Sequence, residues 1–351
     1  MKAMVLLEHC MIEVEGTPGR KHELPYMKDP LAMRDMPAPV PLAGQILVRV
    51  SACGICHTEL DEIEGRLSPP QFPLIPGHEV VGRVEASGPG AGRFRIGDRV
   101  GIAWIHSSCG TCGFCRRGAE NLCDGFQATG LHAHGGYAQY TTVHEDFAYP
   151  IPEAFSDAQA APLLCAGVIG YRALRLSNIR PGEVLGLYGF GASAHIAIQV
   201  ARHWGCRVFV FTRKGQRDHQ DLAGKLGAEW AGATGDTPPQ KLDSAIDFTP
   251  VGEPVKEALR VLRKGGRLAI NAIRKIEPIP PLDYAEYVWH EKEIKIVANV
   301  TRQDVREFLP LAAEIGIRPE VTEFDLSEAN TALRLLKQGR IRGAAVLRIP
   351  Q

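Results

Sequence analysis

The chain has 351 residues, 45% hydrophobic and 23% charged, with 40 Lys plus Arg set against 40 Asp plus Glu. That length accommodates two domains, each with its own core. Zero net charge without a basic cluster argues against a nucleic-acid partner, and no apolar run reaches the roughly 20 residues that span a bilayer.

The opening segment, MKAMVLLEHC, has charges among its apolar residues and reads as a strand, not a secretion signal. Residues 15 to 44 are rich in Pro, Met and charge without periodicity, and read mostly as a surface loop. Gln45 to Val50, Glu79 to Ala86 and Asp98 to Trp104 alternate as half-buried strands do. The pattern changes at Ser156-Asp157-Ala158-Gln159, a capping-box signature that predicts a helix through Cys165 to about Leu176, kinked or restarted at Pro162. Strands are then predicted at Val184–Tyr188, Arg207–Phe211, Ser244–Phe248, Arg267–Ala272 and Glu293–Val300. Helices alternate with them at Ser193–Trp204, Asp218–Leu226 and Pro254–Leu262. Such alternation implies a parallel sheet with helices on both faces. A helix near Glu328–Lys337 and a strand near Ala345–Arg348 close the chain.

The strand Val184–Tyr188 runs into Gly189-Phe190-Gly191-Ala192-Ser193-Ala194, which opens a helix. The first glycine permits a tight turn. The second lets backbone approach a pyrophosphate at the helix N-terminus, where free N–H groups favour an anion. Ala194 replaces the usual third glycine. The next strand should end in an acid that holds the ribose hydroxyls. Here it ends Phe211-Thr212-Arg213-Lys214, a hydroxyl and two cations that favour a 2′-phosphate, so NADP(H) is expected over NAD(H).

Two sets of metal-type residues stand out. Cys109, Cys112, Cys115 and Cys123 read C-x2-C-x2-C-x7-C, a closed four-thiolate site that holds structure. An iron–sulfur cluster is the competing reading, but its pattern continues x3-C-P, whereas here the last gap is wide and Asp124 follows Cys123. Cys56, His78 with Glu79, and Cys165 form a scattered Cys2His set with an open position, the kind that does chemistry. The remaining cysteines, Cys10, Cys53 and Cys206, sit in apolar or small-residue contexts and read as buried thiols. This usage fits a reducing cytoplasm better than a disulfide framework.

Cys56-His57-Thr58-Glu59, Gly77-His78-Glu79, Gly97-Asp98-Arg99-Val100, the four-cysteine lobe, Leu164-Cys165-Ala166-Gly167 and the Gly189 loop occur in a familiar order. Over nearly its whole length the chain resembles the zinc-dependent, medium-chain alcohol dehydrogenase family. The resemblance implies an α/β protein in two domains. A GroES-like, β-rich catalytic domain covers 1–165 and 302–351, with a structural zinc lobe at about 107–125. A doubly wound Rossmann domain for NAD(P) covers 166–301. It implies two zinc ions per subunit, the catalytic one held by Cys56, His78 and Cys165 with water or substrate oxygen fourth. Glu79 is then a supporting group or transient ligand. Glu59 orients the ligand histidine, where the family more often has Asp. Thr58 accepts the alcohol proton, His57 lies near the cofactor pyrophosphate, and Trp104 lines the substrate pocket.

Two departures are visible. The family's proton relay often continues to a histidine five residues after the first ligand, where this chain has Asp61. Residues 15–42 read as an insertion, with covering the pocket or contacting a neighbouring subunit among its open roles. The implied reaction is reversible hydride transfer between NAD(P) and a small alcohol or aldehyde, with Trp104 pointing to primary alcohols. A polyol or aromatic-alcohol dehydrogenase is the neighbouring alternative. A non-catalytic zinc- and nucleotide-binding protein is the alternative from another class, and the set Cys56, Thr58, His78 and Cys165 speaks against it. The strand Glu293–Val300 lies last in its sheet, and family members pair through this region. A homodimer or homotetramer is therefore expected.

Overall fold

A computed structural model gives the fold for residues 1–14 and 23–351. Two compact units divide the chain: Met1–Cys165 with Thr301–Ala313 and Arg318–Gln351, and Ala166–Val300 with Glu314–Ile317.

The first unit is built on a seven-stranded sheet. Its strands run Ala148–Pro150, Arg99–Ile102, Glu79–Ser87, Gln45–Ile55, Ala344–Arg348, Val321–Asp325, and Tyr140–His144 also pairs with Gln45–Ile55. Gln45–Ile55 alternates partly buried and buried residues up to Ala52, then is buried throughout. Ile46, Val48 and Val50 lie fully in the core with Ile102 and Val143. Antiparallel pairing with Glu79–Ser87 sets Gly54 opposite Glu79. The end of one strand, and Cys56 just beyond it, is thereby brought to the start of the next, where His78 stands. Sheet register closes a gap of 22 residues that local sequence leaves open.

The second unit holds a six-stranded parallel sheet in the order Trp230–Ala233, Arg207–Thr212, Val184–Tyr188, Leu242–Asp247, Leu262–Ile270, Glu293–Ile296. Numbered along the chain this is 3-2-1-4-5-6, the doubly wound order whose strand direction of travel reverses beside the first strand. Every residue of Val184–Tyr188 is buried, as a central strand covered on both faces requires.

Several sequence expectations change. Within the stretch read as a loop, Leu31–Asp35 is a strand paired antiparallel with Lys2–Leu6. Asn330 fastens it: its Oδ1 accepts from the Leu31 N–H at 3.0 Å, and its Nδ2 donates to the Leu31 carbonyl at 2.9 Å. A tertiary partner, not local periodicity, makes that strand. Residues 15–22 of the expected insertion lie outside the described residues. The helix expected through Cys165 is three pieces: Asp157–Ala160, a 3-10 turn at Ala161–Leu164, and Ala166–Ser177. Pro162 cannot continue an α-helical ladder, and the backbone breaks at Cys165 (φ −128°, ψ −78°). That break separates the cysteine from the helix it was assigned to. The strand from Glu293 stops at Ile296, not Val300, and Trp230–Ala233 was not anticipated. Among the described residues no helix is long and apolar enough to cross a membrane.

Candidate metal centre and cofactor turn

Cys56 leaves its strand in an extended conformation and becomes the N-cap of the short helix His57–Ile63. Its sulfur accepts from the Thr58 N–H at 3.3 Å, and its own N–H donates to Glu59 Oε2 at 2.8 Å. This is a capping box with sulfur in place of the usual hydroxyl. The other oxygen of the same carboxylate, Glu59 Oε1, lies 2.7 Å from His78 Nδ1. An ionised carboxylate only accepts, so Nδ1 carries the proton and Nε2 is the ring nitrogen left for an ion. Nε2 is 3.6 Å from Cys56 Sγ. Glu59 and His78 are 0% and 1% exposed, so this orientation is not open to competition from water. The Trp104 ring meets His78 edge-on, centroids 4.8 Å apart.

Cys165 arrives from the 3-10 turn, whose four residues are buried and which packs on Glu79–Ser87. One ligand atom each from Cys56, His78, Glu79 and Cys165 all lie within 4.8 Å of one another. Gly54 makes room for Glu79. A Cβ there would sit 1.9 Å from Glu79 Oε2, so a larger residue would displace that carboxylate.

The electrostatics describe a site with surplus negative charge. The Cys56 thiol is pushed far up, by its hydrogen bond with Cys165, by burial and by the Glu59 charge. Burial, against the pull of His78, moves the Glu79 carboxyl up to about 8. Burial would lower His78, yet Glu59 and Cys56 outweigh it and raise it well above its usual value. A divalent cation answers each of these at once, and two sulfurs, an imidazole and a carboxylate suit zinc.

Thr58 is buried on the same helix, and His57 beside it is exposed. Asp61, at the relay position, is 3% exposed and is ion-paired with Arg66, which also holds Glu64.

The four-cysteine lobe also converges, its sulfurs all within 4.8 Å of one another and none in a disulfide. Backbone N–H groups point at the sulfurs: Cys112 N–H at Cys109, and Cys115 N–H at Cys112, both at 3.4 Å. N–H groups of Thr111 and Cys112 bring the Cys109 thiol down to about 6, into thiolate territory at neutral pH. Glu120, between the third and fourth cysteines, is 2% exposed, and its Oε1 accepts from the N–H (2.8 Å) and Nε (3.0 Å) of Arg302. Sequence reading missed this anchor. Its local signal was slight, since Glu120 is one of two acids, with Asp124, inside a glycine-rich lobe.

In the second unit Gly189 adopts φ +81°, and Gly191 is the N-cap of the helix Ala192–His203, bringing no side-chain cap to it. Phe190 and Ala194 are buried, and Ser193 is partly exposed. Thr212 is fully buried, and its hydroxyl accepts from Gln220 Nε2 at 3.0 Å. That leaves Arg213 and Lys214, both exposed, as the cations beyond the strand.

Comparison with known proteins agrees in both units. The alcohol dehydrogenase GroES-like domain matches residues 42–153, and the zinc-binding dehydrogenase domain matches 194–314. The chain is 47% identical over 330 residues to the probable alcohol dehydrogenase AdhA of Mycobacterium tuberculosis (strain CDC 1551 / Oshkosh), covering 93% of this chain and 94% of that protein. It is 35% identical over 334 residues to an alcohol dehydrogenase of Geobacillus stearothermophilus, covering 92% and 97%. Among solved structures, an NAD-dependent alcohol dehydrogenase superposes with a TM-score of 0.87 at 26% identity, both chains covered in full (100%). A cinnamyl alcohol dehydrogenase of Sorghum bicolor gives 0.84 at 26% identity, covering 99% and 97%.

The Glu59 bridge has a measurable consequence. Glu59→Gln, which keeps size but loses the charge, should weaken zinc binding by about 10- to 100-fold, read by competition with a chelator. Unchanged affinity would remove Glu59 from the metal site.

Proposed function

Because the chain belongs to the zinc-type medium-chain dehydrogenase/reductase family and is an alcohol dehydrogenase, we propose that Cys56, His78 and Cys165 are its catalytic zinc ligands and that NADP(H) is its preferred cofactor. The convergence of these three side chains with Glu79, around an imidazole whose far nitrogen is held by Glu59, carries the reading. When bound, zinc supplies Lewis acidity toward the substrate oxygen, and the nicotinamide accepts or donates the hydride.

The chain's own residues do the rest. Cys56 and Cys165 bring negative charge that a divalent ion balances. Glu79 reaches the same point as the ligands and is the group a substrate oxygen would displace. Thr58, buried one helical position from His57, is the proposed acceptor of the alcohol proton. Asp61 is engaged by Arg66, whose side chain is 29% exposed. The onward path to solvent therefore differs from a histidine relay. Trp104, fixed against His78, narrows the space beside the metal and favours primary alcohols and aldehydes. His57 is the proposed contact to the cofactor pyrophosphate. Arg213 and Lys214, with no acid at the end of Arg207–Thr212, support a 2′-phosphate. Cys109, Cys112, Cys115 and Cys123 would hold a second, structural zinc. The edge strand Glu293–Ile296 is exposed along its length, and Ile294, Ile296 and Trp289 are exposed with it. This supports a homodimer or homotetramer built on that edge.

Steady-state kinetics with NADP and NAD, across primary and secondary alcohols, test the central reading. NADP should be preferred. Arg213→Ala should raise the KM for NADP about tenfold, the worth of a hydrogen bond to a charge, with little effect on NAD. A wild-type preference for NAD would overturn the cofactor assignment. Metal analysis should find two zinc ions per chain and one in Cys109→Ser; a single ion in the wild type would refute the structural site. Light scattering that returns a monomer would sink the edge-pairing proposal.

A further inference from the structure

Behind the Gly189 turn lies a buried ion pair that the chemistry above does not use. The strand Leu242–Asp247 ends beside Val184–Tyr188, with Asp247 opposite Tyr188. Asp247 is 0% exposed. Its Oδ1 accepts from the Thr249 N–H at 2.9 Å and the Thr249 hydroxyl at 2.7 Å. Its Oδ2 is paired with the Lys275 ammonium. That ammonium also donates to the carbonyls of Thr249 (2.7 Å) and Val251 (2.9 Å). Three donors meet three acceptors, so the group is saturated.

Lys275 reaches in from the segment after the next strand, and two further contacts tie the same pieces together. The Ile276 N–H donates to the Pro250 carbonyl at 2.7 Å, and a Cβ on Gly252 would lie 2.0 Å from the Pro278 carbonyl oxygen. The loop held in this way touches the turn. Thr249 Cγ2 sits 2.9 Å from where a Gly189 Cβ would stand, and the Phe248 N–H donates to the Tyr188 carbonyl at 2.9 Å.

We propose that Lys275 is a positioning residue for the nicotinamide cofactor, stapling residues 247–251 beneath the Gly189–Gly191 turn so that the turn is preformed for a pyrophosphate. The inference rests on the reading of that turn as the cofactor site. Two physical points favour positioning over plain stability. A buried ion pair gains little over well-packed apolar residues of the same size, so its use here is explained better by the geometry it imposes. A buried carboxylate next to a phosphate-binding turn would also repel the ligand, and Lys275 cancels that charge. Burial itself pushes the Asp247 carboxyl up, and Lys275 draws it back.

The test titrates NADPH and NADH by calorimetry into wild type, Lys275→Met and the double variant Asp247→Asn/Lys275→Met. Amide exchange of residues 248–252 is followed in the cofactor-free proteins. Lys275→Met should bind both cofactors at least about tenfold more weakly and exchange the loop faster, with kcat at saturating cofactor less affected than cofactor KM. The double variant removes the unpaired buried charge. It should regain melting temperature but not affinity, because the Thr249 and Val251 carbonyls still lack their donor. Affinity that returns together with melting temperature would reduce the pair to a stability element and overturn the proposal. Unchanged affinity in Lys275→Met would do the same. If neither variant folds, wild type decides: a protected Thr249 amide without cofactor supports a preformed loop, and exchange at the unfolded-peptide rate refutes it. A wild type that binds neither cofactor would instead bring down the assignment of the turn.

Discussion

One carboxylate does two jobs in this protein. Glu59 closes a capping box on Cys56 with one oxygen and fixes the His78 ring with the other. Both tasks use the acceptor oxygens of a fully buried acid, and burying an unpaired carboxylate costs several kcal/mol. The cost is offset because each oxygen accepts a hydrogen bond and because the site it serves attracts a cation. The start of a helix, the conformation of Cys56 and the orientation of the His78 ring thus rest on a single side chain. Both contacts form from a helix position three residues after Cys56.

The rest of the helix His57–Ile63 shows what that arrangement demands. Glu59, Asp61, Glu62 and Glu64 are all buried along it or just past its end. Asp61 and Glu64 are matched by Arg66, and Glu64 also by Lys337. Glu62 has neither oxygen hydrogen-bonded, and burial, with the Glu59 charge adding to it, pushes its carboxyl far up. Glu62 lies three residues after Glu59, close enough on the helix for the two carboxyls to interact. The acids of this helix therefore divide by their partners. Two are balanced by cations, one bridges Cys56 and His78, and one has neither carboxyl oxygen hydrogen-bonded.

Much of this was legible in the sequence because the chemistry leaves short signatures. The capping box at Ser156 was read from its spacing, and both of its hydrogen bonds form. The equivalent box at Cys56 has the same spacing and was not read, because sulfur is not among the usual caps. The cysteine clusters and the strand–turn–helix at Gly189 were visible because ligand spacing and turn chemistry are local. What escaped was set by partners far along the chain. Leu31–Asp35 is a strand because Lys2–Leu6 and Asn330 hold it. Trp230–Ala233, with two alanines and a glycine, has no strand signal of its own and exists through pairing with Arg207–Thr212. Lys275 has no local signal either, and its partner Asp247 lies 28 residues away along the chain.

The close approach of Gly54 to Glu79 has a corollary. The two positions are 25 residues apart, yet they share one volume. A larger residue at 54 would have to push the Glu79 carboxylate away from Cys56, His78 and Cys165. A change at either position is therefore coupled to the other, although sequence distance hides the link.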